Sequence, residues 1–408
     1  MRSFNLGAAI AATFSVCLAV SCNSTTKCPE SAPCCSQYGV CGVGAYCLGG
    51  CDPRYSYDFH SCLAAPACKN SLYEFKSLSK FASNTEYLGD SNGTDWVISG
   101  TPVIYNNDSV LLTMAEGTVG TLLMSTHYVW YGKISASLTT SQGQGVVTAF
   151  ILMSDTHDEI DFEFVGADVS NAQSNYYSQG IEDWHNEKHL AVPGGDSRQE
   201  VHTYTIDWQP DYISWFIDGQ QLRTKFRNET YNSTTQKYAF PQTPSRVMLS
   251  LWPAGAAGNR QGTIDWAGGL VNWNSPYMQN GYYYAIAHNV SVECYNPPAG
   301  AGSGNAYFYK SVEIDENSVA LGNNGTSIRS LGATGDNPQP EGTVDSANSV
   351  PGVFGAGNIG SDGNSNGRAS PNPNGGFQQG DLGGTSQASK VVAGGAVALF
   401  GLFVACLL

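Results

Sequence analysis

The residues of this chain best suited to do chemistry stand in one stretch, Asp158-Glu159-Ile160-Asp161-Phe162-Glu163-Phe164. Side chains of a β-strand alternate between faces, so Glu159, Asp161 and Glu163 share one face and Ile160, Phe162 and Phe164 the other. Carboxylates in a row repel one another and form strands poorly. On a solvated edge such a row would serve only to discourage aggregation. Its flanks argue otherwise, because Val146 to Met153 and Phe162 to Val165 are strongly apolar and read as central strands. Acids that face a cleft from a central strand can split a glycosidic bond. One carboxylate attacks the anomeric carbon while the other protonates the departing oxygen. A rise of ~3.3 Å per residue puts the Cα atoms of Glu159 and Glu163 ~13 Å apart. Long side chains leaning inward on a bent sheet must narrow that to the ~5–5.5 Å between carboxyls that a retaining mechanism uses. Asp161, between them, would orient or ionise the nucleophile and help to keep the acid protonated.

The elements that must hold these acids read as strands. From about Leu72 to Cys294 the chain is a series of short apolar runs separated by turn residues. Examples are Val110–Met114, Gly132–Leu138, Val146–Met153, Glu159–Val165, Val201–Trp208, Ile213–Ile217 and Val247–Leu251. Asp218-Gly219 ends one of them and predicts a hairpin turn. Long helical periodicity is absent. The expected fold is all-β, a sandwich of two stacked sheets whose acid-bearing face forms an open groove for an extended polymer.

Composition narrows the partners. The 408 residues carry a formal charge of −15, which argues against nucleic acid, since phosphate binding needs basic patches. Hydrophobic residues make up 41% of the chain, enough for a sizeable core, and only 13% are charged. A polar, aromatic, weakly charged profile suits contact with neutral sugars. Residues 1–21, with Arg2 and an apolar run from Leu6 to Val20, read as a secretory signal peptide. Seven sequons, at Asn23, Asn92, Asn107, Asn228, Asn232, Asn289 and Asn324, fit that route. Cysteines 22, 28, 34, 35, 41, 47, 51, 62 and 68 crowd one short segment, and Cys294 makes the set even once Cys17 and Cys406 are set aside. A disulfide scaffold explains such density in a secreted chain; a zinc knuckle is the alternative. His185 and His189 stand four apart without a third partner, so neither a metal nor a cofactor is expected. Residues 318–390, rich in Gly, Asn, Ser and Pro, predict a disordered stalk, with Tyr307 to Leu321 as one further strand or loose chain. Residues 391–408 are apolar or glycine with no basic tail after them. They predict a removed glycosylphosphatidylinositol (GPI) attachment signal, with Asn374 or Gly383 as the anchored residue, rather than a retained helix.

Two resemblances sharpen this reading. Cys28-x5-Cys34-Cys35-Ser36-Gln37-Tyr38-Gly39-x-Cys41-Gly42-x3-Tyr46-Cys47 resembles hevein-like chitin-binding modules. The resemblance implies Ser36, Tyr38 and Tyr46 as a sugar platform and the pairs Cys22–Cys35, Cys28–Cys41 and Cys34–Cys47. Val40 stands where an aromatic is common. Glu159-x-Asp161-x-Glu163 resembles the signature of glycoside hydrolase family 16, a β-jelly-roll with retaining chemistry. Gly143 to Phe150, Asp158 to Gly166, Asn175-Tyr176-Tyr177, His202 to Trp208 and Ser250-Leu251-Trp252-Pro253-Ala254-Gly255 resemble the fungal Crh cell-wall transglycosylases of that family. The resemblance implies Glu159 as nucleophile, Asp161 as helper and Glu163 as acid/base. It also implies Tyr176, Trp252 and Trp130 as sugar-stacking rings, with Gln144 and Asn175 reading hydroxyl or acetamido groups. The expected reaction cleaves chitin and transfers the fragment to β-glucan or chitin. Two rival readings are an endohydrolase of β-glucan or chitin with the same fold and a non-catalytic wall-binding protein. The expected divisions are 22–68 for the hevein-like module and 69–317 for the jelly roll, in a protein anchored at the outer membrane face and cell wall.

Overall fold

The computed structural model describes residues 20–181 and 183–339. Most of the expected signal peptide, the stalk beyond residue 339, the tail 391–408 and both anchor candidates, Asn374 and Gly383, lie outside the described residues.

Two eight-stranded sheets stack to form the sandwich. The acid-bearing sheet runs in the order Lys188–Ala191, Asn171–Tyr177, Glu159–Val165, Val147–Ser154, Ser245–Trp252, Thr121–Val129, Trp96–Ser99 and Phe81–Ser83. Glu159–Val165 is therefore an interior strand, and no part of it lies at an edge. The backing sheet is built on the long strand Tyr282–Cys294, flanked by Gly132–Thr139 and Ser109–Ala115. Beyond Gly132–Thr139 come His202–Trp208, Tyr212–Ile217 and Gln220–Phe226, the last two joined through Asp218 and Gly219 at φ 51° and 80°. Positive φ at both central residues matches a hairpin turn to the strand twist.

The inner face of the acidic strand behaves as its apolar alternation demands. Ile160, Phe162 and Phe164 are buried against the backing sheet, with the Tyr204 ring 5.5 Å from Phe162 and 4.5 Å from Phe164. From the same side the Trp215 indole donates to the carbonyl of Asp161 at 3.0 Å. The strand is also pinned at its start. The buried Asp158 carboxylate accepts from the backbone of Gln179 and Gln242 and from both the backbone and hydroxyl of Thr243, at 2.7–3.1 Å. Hydrogen bonds to an ionised acceptor are strong, so this one side chain ties three chain segments together.

Five disulfides are present among the described residues. Cys22–Cys35, Cys28–Cys41 and Cys34–Cys47 staple the N-terminal segment, and Cys51–Cys62 closes its far end. Cys68–Cys294 joins the chain entering the sandwich to the end of the long backing strand, across 226 residues.

The N-terminal module is packed against the sandwich. It lies on the outward face of the acid-bearing sheet, where the Gly50 amide donates to Asp155 at 2.7 Å and Arg246 donates to the Gln37 side chain at 2.8 Å. Part of the reason is apolar: outward-facing Val97 and Met124 are buried opposite Ala45 and Leu48 of the module. Left bare, such a patch would be costly in water. The stalk expected from residue 318 is also, up to residue 339, built into the fold. Val319–Gly322 pairs with Ala306–Tyr309, which pairs with Ala65–Pro66. Ile328 and Ala333 then pack on Ala45 and Leu48 of the module, and the Gly44 amide donates to the Ala333 carbonyl at 2.7 Å. Small residues permit this closeness, since a Cβ on Gly44 would sit 2.3 Å from the Leu331 carbonyl oxygen. Low apolar content concealed a strap.

Candidate active site

Strand register decides which side chains meet. Glu159, Asp161 and Glu163 project together from the outward face of their strand, opposite Tyr177, Asn175 and Gln173 on one neighbour. On the other side they face Met153, Ile151 and Ala149. All three carboxyls are nearly out of water, with 5%, 1% and 6% of their surface exposed. Burial raises the pKa of each, since a low-dielectric site disfavours the charged form. Neighbouring charge adds to the rise, from Asp161 and Glu163 on Glu159 and from Asp161 and Glu187 on Glu163. Asp161 is pushed up to about 7 by burial, while the Arg223 guanidinium and the Asn175 amide pull it back. Burial and mutual repulsion thus disfavour ionising all three carboxyls at once.

The two ends of the acidic strand meet different surroundings. At the Glu163 end, the Trp252 indole lies beside that carboxyl and favours its ionised form. Trp252 stacks on Trp266 with ring centroids 6.1 Å apart, and Trp266 donates to the Gln173 side chain at 2.7 Å. Gln144 is exposed in the adjacent loop and donates to the Leu270 carbonyl at 2.8 Å. At the Glu159 end, the Tyr177 hydroxyl accepts from Asn175 at 2.8 Å and is held protonated by burial and by the three acids. Beyond Tyr177 the wall belongs to the N-terminal module. There Arg54 donates to buried Asp52 and to the Gln179 carbonyl and lies 3.2 Å from His157 Nδ1. Burial opposes charge on Asp52, yet the hydrogen bonds from His157 and Arg54 bring its pKa below the usual range.

Several residues nominated from the sequence lie elsewhere. Tyr176 is opposite Ile160, so its ring enters the core and only its hydroxyl reaches out, to Asn186 at 3.1 Å. Trp130 is fully buried, its indole donating to the Gln242 carbonyl at 2.8 Å. Neither can stack on a sugar. The hevein-like platform is not presented either. Ser36 is 2% exposed with its hydroxyl on the Val40 carbonyl, and Tyr46 is 2% exposed beneath Gly42. Tyr38 keeps only a partly exposed ring, its hydroxyl buried beside Gln37 and Arg246. Ser36 and Tyr46 are thus buried within the module itself, and Tyr38 is turned toward Arg246 of the sandwich. Of the seven sequon asparagines, six are exposed, and Asn289 is half-buried in the long backing strand. Tyr177, Gln173 and Trp266 were missed. Counting in twos from Asn175 would have chosen Tyr177 and Gln173 over Tyr176; nothing short of the fold brings Trp266 to the site.

Comparison with known proteins adds to this geometry. Residues 90–268 match the family described as glycosyl hydrolases family 16. Crh-like protein 3 of Botryotinia fuckeliana (strain B05.10) is 53% identical over 319 residues, 78% of this chain and 71% of that protein. Crh-like protein 2 of Aspergillus fumigatus is 51% identical over 318 residues, 77% of this chain and 72% of that one. Among solved structures, Crh5 transglycosylase in complex with NAG superposes with a TM-score of 0.54 at 26% identity. That match covers 67% of this chain and all of the other.

Proposed function

The chain belongs to the Crh-like transglycosylases of glycosyl hydrolases family 16, and on that premise we propose that Glu159, Asp161 and Glu163 carry out a two-step glycosyl transfer. Glu159 attacks the anomeric carbon of the donor sugar while Glu163 gives its proton to the leaving oxygen. The covalent glycosyl-enzyme is then resolved when Glu163, now a base, takes the proton of an acceptor hydroxyl. Asp161 lies between the two and passes its charge state to both. The observation that carries this reading is the trio of buried carboxyls side by side on one face of an interior strand. The Trp252 indole N–H supports Glu163 as the acid, because it stabilises the charge left after the proton has gone.

Chitin is the proposed donor, and β-glucan or chitin the acceptor, in keeping with the NAG-bound relative. The protein would act in the cell wall, as a secreted, GPI-anchored glycoprotein. The stacked Trp252–Trp266 pair at the Glu163 end suits the acceptor side, since indole faces stack on pyranose rings. A bound acceptor there outcompetes water through effective molarity, which favours transfer over hydrolysis.

The test uses chitin oligosaccharides as donors and a fluorescent laminarin oligosaccharide as acceptor, with products read by mass spectrometry. Labelled hybrid oligosaccharides are expected from the native chain. Glu159→Gln should lower both cleavage and transfer by a thousandfold or more while the fold persists. Hydrolysis without hybrid products would favour an endohydrolase instead, and substantial turnover by Glu159→Gln would remove the nucleophile assignment.

A further inference from the structure

The contact between the N-terminal module and the sandwich is uneven, and its unevenness is informative. Over the aliphatic strands, where Ala45 and Leu48 approach Val97, Met124 and Tyr87, only about 60 Å³ of free space remains. Where the same interface reaches the acids it opens into a cavity of about 290 Å³. That cavity is lined on one side by Glu159, Tyr177, Gln179 and Met153, and on the other by Ser24, Gln37 and Tyr55 of the module. A surface that packs closely nearby has left room at the nucleophile.

We propose that this cavity is a donor-side saccharide subsite shared between the two parts of the chain, taking one glycosyl unit of a β-linked N-acetylglucosamine polymer. The inference rests on the reading of Glu159 as nucleophile. Tyr55 supplies an aromatic ring and a hydroxyl, and exposed Ser24 supplies a second hydroxyl; rings with a polar handle suit a sugar's two faces. The wall is held rigid. Arg54 packs 4.9 Å from the centroid of the Tyr55 ring while its guanidinium is held by Asp52 and the Gln179 carbonyl. The Cys22–Cys35 disulfide itself lines the cavity beside Ser36 and Gln37. Preorganisation of this kind lowers the entropic cost of ordering a ligand. The module thus acts through the cleft, on the donor, and not through its inward-turned platform.

The experiment uses the full chain and varies the donor over chitotetraose, chitopentaose and chitohexaose at fixed labelled acceptor, then varies the acceptor at fixed donor. Tyr55→Ala removes the ring, and Ser24→Trp fills the cavity from an exposed position. Both are expected to raise the donor KM about tenfold for the longest oligosaccharide while the acceptor KM stays within twofold. The two melting curves and the disulfide content, checked against the native chain, separate a binding effect from a folding one. A donor KM unchanged by Ser24→Trp, or a rise confined to the acceptor KM, overturns the subsite. If the native chain transfers no chitin oligosaccharide at all, the proposed function fails instead, and binding of chitohexaose to the Glu159→Gln protein with and without Ser24→Trp decides the subsite alone.

Discussion

A buried acid is an electrostatic liability as well as a tool, and the three carboxyls make that visible. Each has its pKa raised above the usual carboxylate range by burial, Asp161 to about 7. The folded state therefore holds protons that the unfolded chain has already lost above pH ~5. Stability then falls as pH rises through that window, the reverse of a salt-bridged carboxylate. Thermal unfolding should show a Tm roughly 5 °C or more lower at pH 8 than at pH 5, and Asp161→Asn should remove a large part of that difference. A Tm that climbs from pH 5 to pH 8 would contradict the shift. Trp252→Phe tests the neighbouring contact. Without the indole N–H, Glu163 loses the neighbour that lowers its pKa, so the alkaline limb of the activity profile should move to higher pH. At this scale much was legible. Alternation alone put the three acids on one face, because the period of a strand is two whatever surrounds it. The choice of Tyr176 over Tyr177 failed because a ring adjacent to Asn175 in sequence is on the opposite face.

Strands hold those acids in place only if their ends are fixed, and here one side chain fixes them. Asp158 gathers the Gln179 and Gln242–Thr243 segments onto the start of the acidic strand. Asp158→Ala would take the acceptor from four donors, and of these the Gln179, Gln242 and Thr243 amides would be left without a partner while the Thr243 hydroxyl keeps Thr156, at ~1–3 kcal/mol for each fully buried donor. A loss on the order of 4 kcal/mol, measured by denaturant unfolding, is expected, with transferase activity falling at temperatures where the protein is still folded. Loss below about 1 kcal/mol would mean that the loops are held by other contacts. Pattern-reading located the strands because apolar alternation and turn residues are local signals. It could not locate this clamp, since Asp158 and Thr243 are 85 residues apart and their meeting depends on sheet order.

The largest departures from the sequence reading belong to the whole molecule. A cysteine-dense module and a glycine-rich tail each look independent in one dimension, because each lacks an apolar core of its own. In three dimensions they complete one another: the tail residues Ile328 and Ala333 pack on the module, and Gly335 donates to the Ser61 carbonyl at 2.9 Å. Ending the chain at residue 322 should therefore destabilise the docked module, lowering the first unfolding transition by several degrees and making the Cys51–Cys62 region more open to proteolysis. Unchanged melting and cleavage would show the strap to be dispensable. Because Tyr46 and the Tyr38 hydroxyl are turned inward while Val97, Met124 and Tyr128 shelter beneath the module, the two surfaces have become mutually dependent. A lineage could not discard the module by a simple gene deletion without first resurfacing that patch with polar side chains. Nor would residues 22–68, grafted onto an unrelated carrier, bring a ready-made lectin with them.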